Sequence, residues 1–315
     1  MIVSDLVTMR LPATSANLGP AFDAVAVALN LHLEIEARPA GVFAVSAEGR
    51  DRELCGNLRR HLILETYTEI LSANRKEVVP LSLHIRNQIP LGKGLGSSAA
   101  ARLAAIALAN HFGKLGWQES RILDEAAVRE GHPDNVAACW LGGLVAAAMP
   151  SCRETEESAV QAVRFSTPVK WPILAVLPPN PLSTEAARNV LPEVYPRSDV
   201  VSNLQRSLLL VGAWEQGNAG MMGAALRDRL HEPYREKLCP LLPAMRELAG
   251  QDGILGVVLS GAGPAVLMIL ETGSDEELVL MRVKHTAMEQ GSEVEAIVTE
   301  VEERGARESA EMVSG

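Results

Sequence analysis

The sequence predicts an α+β fold built from two domains. The chain has 315 residues, and about 150 residues are typical of one domain. In the first half, apolar and polar residues alternate with a period of two, which is typical of half-buried strands. In the second half, short apolar runs alternate with longer helical segments. Strands with intervening helices favour a small sandwich in which helices cover one face of a sheet.

The first half begins with strands. We predict strands over residues 6–11, 31–37 and 42–47, and a loop of small and polar residues over 13–23. Asn57 is placed to cap a helix that runs to about residue 72. The further predicted elements are a strand over 81–85, an alanine-rich helix ending near 110, a helix over 119–130, a helix starting at Asp134 or Asn135, and a charged surface loop over 151–158.

The second half, from about residue 169, should hold four strands and four helices. The strands are predicted over residues 173–177, 256–259, 265–270 and 294–301, and the helices over 183–190, 200–217, 241–249 and 275–289. A tight turn from Ser260 to Pro264 separates the middle two strands. We expect the last dozen residues, which are polar, to be frayed.

The composition excludes several classes of function. The net charge is −10, whereas nucleic-acid binding depends on Lys and Arg facing phosphates. The four cysteines have no metal-binding spacing and are typical of thiols in a reducing cytosol. No apolar run approaches the roughly 20 residues of a membrane helix, and the N-terminus lacks a basic signal-peptide region. We therefore expect a cytoplasmic protein without a nucleic-acid or membrane partner.

The most informative stretch lies between a strand and a helix and runs Gly92-Lys93-Gly94-Leu95-Gly96-Ser97-Ser98. Glycines at alternate positions allow positive φ angles and a close approach of the backbone to a ligand. The free N–H groups and the dipole of the helix start favour a polyphosphate. Ser97 and Ser98 are placed to cap the helix, to bind phosphate or to reach a metal ion.

Other interpretations of this loop fit less well. A Walker A loop needs G-x-x-x-x-G-K-[ST], which does not occur here. A dinucleotide fingerprint needs a glycine at Ser97, so a nicotinamide enzyme is also disfavoured. A plain flexible turn before a capped helix stays open, although Pro90 before the loop and two serines after it disfavour that interpretation.

A carboxylate shares the apolar side of the next helix. Glu130 follows Leu123 and Ala126 at helical spacing, so the three side chains share one face. A carboxylate that faces a core needs a cation, and Mg²⁺ in nucleotide sites is bound by one or two carboxylates together with phosphates. The alternative is that Glu130 turns into solvent at the helix end.

These residues together resemble the GHMP kinases, the superfamily of galactokinase, homoserine kinase, mevalonate kinase and phosphomevalonate kinase. PLGKGLGSSAA resembles their phosphate loop, and LSGAGPAV at 259–266 resembles a glycine-rich turn beside it. Three stretches resemble homoserine kinases in particular: PATSANLGPAFD at 12–23, EGHPDN at 130–135 with Leu-Gly-Gly at 141–143, and DRLHEPYR at 228–235. The resemblance covers about residues 3–302.

The resemblance implies a two-domain GHMP kinase architecture. An ATP-binding domain like domain 2 of ribosomal protein S5 would cover residues 1–166. A ferredoxin-like α/β sandwich would cover 167–302, and a polar tail 303–315. ATP, Mg²⁺ and substrate would lie in the cleft between the domains. The implied reaction is phosphorylation of the L-homoserine hydroxyl by ATP on the route to threonine, and a homodimer is a possible assembly.

The resemblance also assigns individual residues. Ser98 and Glu130 match the Mg²⁺ ligands, and Asn135 matches a further catalytic position. The ATP-binding positions are Pro90, Leu91, Gly92, Lys93, Gly94, Leu95, Gly96, Ser97, Ser98, Ala99 and Ala100. The substrate-binding positions are Asn17, Asp23, His132, Asn135, Thr184, Arg188, Arg235 and Gly261.

Elementary chemistry agrees with part of this assignment. A zwitterionic substrate needs an anion for its ammonium group, which Asp23 supplies, and its carboxylate suits the planar fork of Arg188 or Arg235. Alternatives stay open: Asp23 as a turn residue, Arg188 on a solvated helix surface, and His132 bonded only to its own loop. Lys93 either stabilises phosphate charge or lies in solvent.

Asn135 has a mechanistic consequence. In several relatives that the chain resembles, such as mevalonate kinase, the corresponding position is an aspartate that can act as a base. The amide of Asn135 cannot take a proton. Phosphoryl transfer depends mainly on positioning and electrostatic stabilisation. We therefore predict that no side chain acts as general base and that the hydroxyl proton leaves late.

Two departures from the family pattern leave assignments open. Only residues 131–134 separate Glu130 from Asn135, and an ungapped match would place the metal ligand at Asp124, which lies off the apolar face. Ala21 stands where glycine is expected before Phe22, which would stiffen the loop.

Two functions compete with homoserine phosphorylation. Another GHMP kinase, such as one acting on mevalonate, would have no ammonium group for Asp23 to meet. A catalytically silent ATP-binding sensor would have lost the metal ligand or the phosphate loop, and the sequence keeps both.

Overall fold

The computed structural model describes residues 6–149, 160–309 and 311–313. Within these ranges the predicted α+β architecture is confirmed, because helices pack on one seven-stranded and one four-stranded sheet. The charged loop predicted over residues 151–158 lies outside the described residues. None of the helices in the described ranges is long and apolar enough to cross a membrane.

The described residues form eleven strands. They are β1 (Leu6–Ala16), β2 (Val25–Pro39), β3 (Ala44–Gly49), β4 (Leu81–Asn87), β5 (Leu144–Ala148), β6 (Gln161–Phe165), β7 (Ile173–Leu177), β8 (Ile254–Leu259), β9 (Val266–Leu270), β10 (Glu295–Thr299) and β11 (Glu311–Val313).

Twelve helices connect these strands in the described ranges. They are α1 (Arg52–Cys55), α2 (Leu62–Ala73), α3 (Ser97–Phe112), α4 (Glu119–Glu130), α5 (Asp134–Leu141), α6 (Thr184–Asn189), α7 (Arg197–Glu215), α8 (Ala219–Ala225), α9 (Glu232–Arg235), α10 (Leu241–Arg246), α11 (Glu276–Glu289) and α12 (Ala306–Ser309).

The larger sheet has the order β11-β1-β2-β4-β3, and β5 and β6 extend it from the start of β2. Strands β3 and β4 run parallel, and the other neighbours in this sheet are antiparallel. Alanines of α3, including Ala99, Ala100 and Ala104, are fully buried in the core. These small side chains let the helix that follows the glycine loop lie close to β1 and β2.

The smaller sheet has the order β10-β7-β9-β8, and all its neighbours are antiparallel. In chain order its strands therefore stand 4-1-3-2, with helices between the first and second and between the third and fourth. This is the predicted ferredoxin-like arrangement. Strands β7 and β9 are apolar and buried along their whole length, because alternate residues pack into the cluster under α10 and α11 on one face and into the main core cluster on the other.

The prediction of a loop over residues 13–23 is wrong for residues 13–16. These four residues belong to β1 and pair with β2. A bulge between Pro12 and Ala13 breaks the period of two at that point. Thr14 and Ser15 are fully buried although they are polar, so composition alone suggested a loop.

Two other boundaries were predicted wrongly. Asn57 caps a short 3-10 turn, where its side chain accepts a hydrogen bond from the Arg59 N–H (3.0 Å), and α2 begins five residues later at Leu62. The predicted fraying of the last dozen residues is also wrong for those that the structure describes, since Ala306–Ser309 form α12 and β11 pairs with β1.

Three loops meet where the two sheets join. The turn between β8 and β9 reaches the end of β1, because the Gly261 N–H donates to the Ala16 carbonyl (3.1 Å). The same turn holds the glycine loop, since the Ser260 hydroxyl donates to the Gly94 carbonyl (2.8 Å). The Thr14 N–H of β1 donates to the Leu95 carbonyl (3.1 Å). These bonds fix the glycine loop between the two sheets.

Candidate active site

A cavity of about 270 Å³ lies at the junction of the two sheets. Fourteen of the residues predicted from the sequence line it: Asn17, Asp23, Gly92, Gly94, Gly96, Ser97, Ser98, Glu130, His132, Asn135, Thr184, Arg188, Arg235 and Gly261. They come from both halves of the chain, so the fold gathers the predicted motifs into one site.

Six predicted positions of the glycine loop do not line this cavity. Leu95, Ala99 and Ala100 are buried in the core, so they shape the loop and the helix behind it. Pro90 and Leu91 lie on the outer side of the loop, where the Leu91 N–H donates to Asp51 Oδ2 (3.1 Å).

Lys93 is the sixth, and its predicted contact with phosphate stays a prediction, because in the structure its ammonium group is bound by the protein itself. Its Nζ donates to the carbonyl oxygens of Pro178 (2.7 Å) and Pro179 (2.5 Å), just beyond the end of β7. The side chain therefore ties the glycine loop to the smaller sheet and points away from the cavity.

The glycine loop needs its three glycines for conformation and for space. Gly92, Gly94 and Gly96 have φ angles of +67°, +80° and +70°. A Cβ on Gly96 would lie 1.9 Å from the Thr14 hydroxyl oxygen, and one on Gly94 would lie 2.3 Å from the Ser260 carbonyl oxygen. Gly96 immediately precedes α3, and no side chain caps that helix. The N–H groups of its first turn are therefore available to an anion in the cavity.

Ser98 and Glu130 come together at this helix start. The Ser98 hydroxyl donates to Glu130 Oε2 (3.0 Å), and the Glu130 side chain is only 8% exposed, so it does not turn into solvent. Its Oε1 is buried and accepts no hydrogen bond from the described residues, although Arg102 Nε lies 3.2 Å away. Asp124, the alternative, accepts a hydrogen bond from the Val160 N–H (2.7 Å) and does not line the cavity.

Asp23 and Arg188 form an ion pair that lines the same cavity. Arg188 Nη2 donates to Asp23 Oδ1 (2.7 Å) and Nη1 donates to Oδ2 (3.0 Å). Both side chains are about one-third exposed. The Arg188 guanidinium also lies 5.6 Å from the centre of the Phe22 ring, within the range of a cation–π contact. Arg188 is therefore a cavity residue and not part of a solvated helix surface.

Arg235 lies deeper behind the same ring. Its guanidinium is 5.3 Å from the centre of the Phe22 ring, and the residue is only 1% exposed. Its Nε donates to the Ala187 carbonyl (2.9 Å) and its Nη1 to His231 Nδ1 (3.0 Å). Its Nη2 donates to no described residue. Arg235 is thus fixed by the protein on one side and keeps one donor toward the cavity.

His231 was not singled out from the sequence, although it lies in the DRLHEPYR stretch. Burial lowers the pKa of His231 to about 4, so the ring is neutral at neutral pH. Because arginine can only donate to its Nδ1, the proton must be on Nε2, which donates to the Gly19 carbonyl (2.8 Å). The ring also stacks on Phe22, at 5.2 Å between centres. His231 therefore links Arg235 to the loop that carries Asp23.

Two predicted asparagines position other groups. The Asn17 side chain donates to the Gly261 carbonyl (2.8 Å) and accepts from the Asp23 N–H (2.9 Å). The Asn135 side-chain oxygen accepts from the Thr14 hydroxyl (2.6 Å). Both amides line the cavity, but most of their hydrogen bonding is used to hold its walls together.

Asp134 is a second residue that sequence reasoning missed, although it lies between two predicted positions. It is 1% exposed and lines the cavity. Its Oδ1 accepts from His132 Nδ1 and from the Asn135 N–H, both at 2.6 Å. Burial favours neutral His132, but the hydrogen bond and the charge of Asp134 outweigh burial and raise the pKa of His132. His132 thus bonds to its own loop and also faces the cavity.

An apolar pocket of about 420 Å³ adjoins the glycine loop on its other side. It shares Ser97 and Ser98 with the cavity, and no local sequence pattern predicts it because its walls come from four separate segments. The pocket is lined by Leu33, Leu54, Cys55, Asn57, Arg60, His61, Leu62, Ile63, Ile85, Asn87, Ile89, Leu91 and Ala101 in addition to the two serines.

Comparison with known proteins places this geometry in a family. The model of the GHMP kinase N-terminal domain matches residues 61–143, and the model of the GHMP kinase C-terminal domain matches 204–290. A homoserine kinase from Solibacter usitatus is 42% identical over 299 residues, which cover 94% of this chain and 95% of that protein. The chain belongs to the homoserine kinase family of the GHMP kinases. It is therefore a kinase that phosphorylates a hydroxyl group.

Solved structures agree with this membership at the level of the fold. The homoserine kinase from Cytophaga hutchinsonii has a TM-score of 0.75 at 24% identity and covers 96% of both chains. The L. major mevalonate kinase has a TM-score of 0.67 at 14% identity and covers 97% of this chain and 98% of its own. The shared fold does not by itself separate homoserine kinases from their relatives, whereas the sequence identity to homoserine kinases does.

Proposed function

We propose that this kinase transfers the γ-phosphoryl group of Mg-ATP to the hydroxyl of L-homoserine and releases ADP and O-phospho-L-homoserine, on the route to threonine. One observation carries the proposal. A single cavity is lined both by an uncapped helix start with its glycine loop and by the Asp23–Arg188 ion pair. The first suits a polyphosphate, and the second suits a small zwitterion.

The nucleotide has two adjoining places to bind. Residues 92–98 would cradle the β- and γ-phosphates through backbone N–H groups, in accord with the positive φ angles of the three glycines. The apolar pocket beyond Ser97 and Ser98 would take the nucleoside, since aliphatic walls with a few polar groups suit a flat base. Because Ser97 and Ser98 line both cavities, the triphosphate would lie at the boundary between them.

Ser98 and Glu130 are the residues that would hold Mg²⁺. They offer hard oxygen donors 3.0 Å apart, and Glu130 Oε1 is a buried acceptor that no described hydrogen bond satisfies. This donor set fits an ion that takes few protein oxygens together with phosphate oxygens. When bound, the ion would neutralise charge on the phosphates. Arg102, 3.2 Å from Oε1, would keep the carboxylate oriented.

When the amino acid binds, the Asp23–Arg188 ion pair would be replaced by two ion pairs between the protein and the substrate. Its ammonium group would bind Asp23, and its carboxylate would bind Arg188 and the remaining donor of Arg235. Thr184, the first residue of α6, lines the same part of the cavity. The Phe22 ring, whose centre lies 5.6 Å from the Arg188 guanidinium and 5.3 Å from that of Arg235, would help to hold both groups in place.

The proton of the attacking hydroxyl is proposed to leave late, without a side-chain general base. Asn135 cannot accept it, and its oxygen is held by Thr14. Asp134 is the carboxylate closest in sequence to this position, and its Oδ1 is committed to His132 and the Asn135 N–H. Positioning and charge stabilisation then account for the rate.

The remaining predictions are consistent with this proposal. We propose a cytoplasmic enzyme that uses neither nucleic acid nor membrane as partner. The proposed domain limits, 1–166 and 167–302, are supported by the end of β6 at Phe165 and the start of β7 at Ile173. The residues beyond 302 would belong with the first domain and not form a separate tail, because β11 pairs with β1.

An ADP-release assay coupled to a chromogenic reaction tests the proposal. Purified protein with Mg-ATP is given L-homoserine, mevalonate, homoserine lacking its amine, or no acceptor. We expect turnover with homoserine far above the other three, because only homoserine offers Asp23 an ammonium group. Equal turnover with and without the amine would remove homoserine as the natural substrate, and preference for mevalonate would establish the alternative kinase. Nucleotide binding without turnover on any acceptor would indicate a silent sensor.

A further inference from the structure

A short segment rich in proline leads to the helix that carries Arg188. Residues 178–183 run from the end of β7 to Ser183, whose hydroxyl caps α6 by accepting from the Ala186 N–H (3.0 Å). We call residues 178–183 the α6 linker. Three of its six residues are prolines, and a proline ring fixes φ at about −65°. The linker is therefore stiff, so the position of its first residues decides where α6 begins.

The glycine loop holds the α6 linker near both of its ends. At the first end, Lys93 Nζ donates to the carbonyl oxygens of Pro178 (2.7 Å) and Pro179 (2.5 Å). Near the second end, the Leu182 N–H donates to the Gly92 carbonyl oxygen (3.2 Å). Two consecutive residues of the glycine loop thus fix the segment that leads to α6.

Lys93 is itself fixed on its backbone side. Its carbonyl oxygen accepts from the Ala265 N–H (3.2 Å), just before β9. Its side chain shares an outer pocket with Asp51 and Glu295, and both carboxylates attract its charge. The positive charge of Lys93 is therefore met on this side of the loop by groups of the protein.

We propose that Lys93 is a positioning residue for the acceptor: by holding the α6 linker, it keeps the Arg188 guanidinium in the cavity. The inference rests on the proposed function, which gives Arg188 a substrate carboxylate to bind. Arg188 lies in the last turn of α6, and its guanidinium faces both Asp23 and the Phe22 ring. A linker released from Lys93 lets α6 move, and Arg188 moves with it.

The same contacts connect the two substrates. Residues 92–98 form the proposed cradle for the phosphates, and Lys93 lies within that cradle while its side chain reaches the α6 linker. A nucleotide that orders the glycine loop therefore also orders the linker, so the acceptor binds more tightly after the nucleotide. Coupling of this kind is reciprocal for binding. Loss of the Lys93 ammonium group removes it.

Steady-state kinetics and ATP titration test the proposal. Lys93→Met keeps the length of the side chain but has no donor, and we expect KM for L-homoserine to rise about tenfold, as for lost hydrogen bonds to a charged group. The dissociation constant for ATP without acceptor should change less than about threefold, within the range of a surface charge effect. Lys93→Arg keeps the charge and the donors and should restore most of the wild-type KM.

Lys284→Met is the control for these variants. Lys284 is exposed on α11, away from the α6 linker, and its substitution should leave both constants unchanged. If Lys93→Met raises the ATP dissociation constant and leaves KM for homoserine at its wild-type value, Lys93 binds the phosphates and the proposal is overturned.

A double-mutant cycle tests whether Lys93 acts through Arg188. Arg188→Leu removes the guanidinium group, so in that background Lys93→Met should lower kcat/KM for homoserine no further. A tenfold loss in both backgrounds would mean that Lys93 acts on another part of the site, which contradicts the proposal.

Hydrogen exchange gives a readout that needs no acceptor. The amides of α6 should exchange about tenfold faster in Lys93→Met than in the wild type, because the helix opens locally more often. The amides of α11 should keep their wild-type rates. Unchanged exchange in α6 would overturn the proposal. If the wild-type protein does not phosphorylate homoserine, the proposed function fails, and the exchange comparison still decides whether Lys93 holds α6.

Discussion

Arg188 binds Asp23 through both carboxylate oxygens, at 2.7 and 3.0 Å, although the two residues lie 165 positions apart in the chain. Each had been assigned to an opposite end of a zwitterionic substrate. In the structure they satisfy each other. An amino acid that enters must therefore exchange this pair for two new ones, which penalises any acceptor that lacks either the ammonium or the carboxylate group. We therefore propose that the pair acts as a selectivity element as well as a binding site.

Asp23→Asn should lower kcat/KM for homoserine by about 100-fold, since truncating one partner of a hydrogen-bonded charge pair costs about 2–5 kcal/mol. The loss should be specific to the amine, because Asp23 is proposed to bind only that group. The measurement is kcat/KM with homoserine and with the analogue that lacks its amine. For the analogue we expect a change of less than about threefold, within the range of a surface ion-pair effect.

The matched control for Asp23 is Asp199→Asn. Asp199 also pairs with an arginine, Arg229, at 3.1 Å, but lies on α7 away from the cavity. It should leave kcat/KM for both acceptors unchanged. Equal losses with both acceptors in Asp23→Asn would show that Asp23 only supports the loop and does not bind the amine.

The fold was predictable where local signals sufficed. Helix α4 was predicted with its observed bounds because its apolar spacing ends at Gly131, a glycine with a φ of +81°. Strand β7 was predicted because five apolar residues stand between polar and proline-rich flanks. Strands β5 and β6 were missed, since runs such as Leu144–Ala148 are short and alanine-rich, and alanine has no preference for strands.

The site was predictable as a set of residues but not as a set of partners. The motifs gave Asp23, Arg188, Ser98 and Glu130 correctly as cavity residues. The sequence could not indicate that Asp23 and Arg188 bind each other, or that Lys93 bonds to carbonyls beyond β7. Such pairings are set by how the two sheets dock, and no local pattern reports that.

Glu130→Gln should lower kcat/KM by about 100-fold or more and raise the Mg²⁺ concentration needed for half-maximal rate. The amide keeps the shape of the side chain but removes the charge, and a metal site loses several kcal/mol of transition-state stabilisation without its carboxylate. The measurement is initial ADP release against Mg²⁺ concentration. Glu125→Gln is the control, because Glu125 lies on the same helix in ion pairs with Arg121 and Arg129. If Asp124→Asn has the larger effect on the Mg²⁺ requirement, Asp124 is the ligand.

Asn135→Asp should not accelerate the reaction at any pH between about 6 and 9, if positioning dominates phosphoryl transfer. The new carboxylate could still accept from the Thr14 hydroxyl, but it would replace the Asn135 Nδ2 donor, 3.4 Å from Asp134 Oδ1, with a second negative charge beside Asp134, so we expect kcat to fall. The measurement is kcat across that pH range. A large rise at neutral pH would mean that a base is useful here and that the late-proton hypothesis is wrong.

Gly96→Ala should abolish tight ATP binding and destabilise the fold by more than about 3 kcal/mol. A left-handed φ costs a non-glycine residue about 1–2 kcal/mol, and the new methyl group would also collide with the Thr14 hydroxyl, 1.9 Å from its position. Gly116→Ala separates the two effects. Gly116 has nearly the same φ, +69°, but a Cβ there meets nothing within 4 Å. Urea unfolding and ATP titration of both variants are the measurements. Equal destabilisation of the Gly96→Ala and Gly116→Ala variants would show that the Thr14 side chain moves aside from the new methyl group at little cost.

His231 should make the unfolding free energy fall as the pH drops from about 6.5 to about 4. Its pKa is about 4 in the folded protein against 6.5 for a free side chain. In this window the unfolded chain binds more protons than the folded one, so stability increases with pH and the contribution is fully present above about 6.5. A shift of this size corresponds to about 3 kcal/mol. The cause is burial. The ring is bonded to Gly19 and Arg235, so a second ring proton would add a positive charge that water cannot reach.

His231→Gln removes this titration while an amide can still donate to the Gly19 carbonyl. We expect the variant to be less stable than the wild type at pH 7, since the ring no longer stacks on Phe22. Between about pH 6.5 and pH 4, its unfolding free energy should fall by about 3 kcal/mol less than that of the wild type. The measurement is chemical denaturation of both proteins at several pH values. His285→Gln is the control, because His285 is exposed on α11 and should leave the pH dependence unchanged. Parallel pH curves for wild type and His231→Gln would show that the ring takes up its second proton as readily in the folded protein as in the unfolded chain, with Asp228, 3.8 Å away, stabilising the charge.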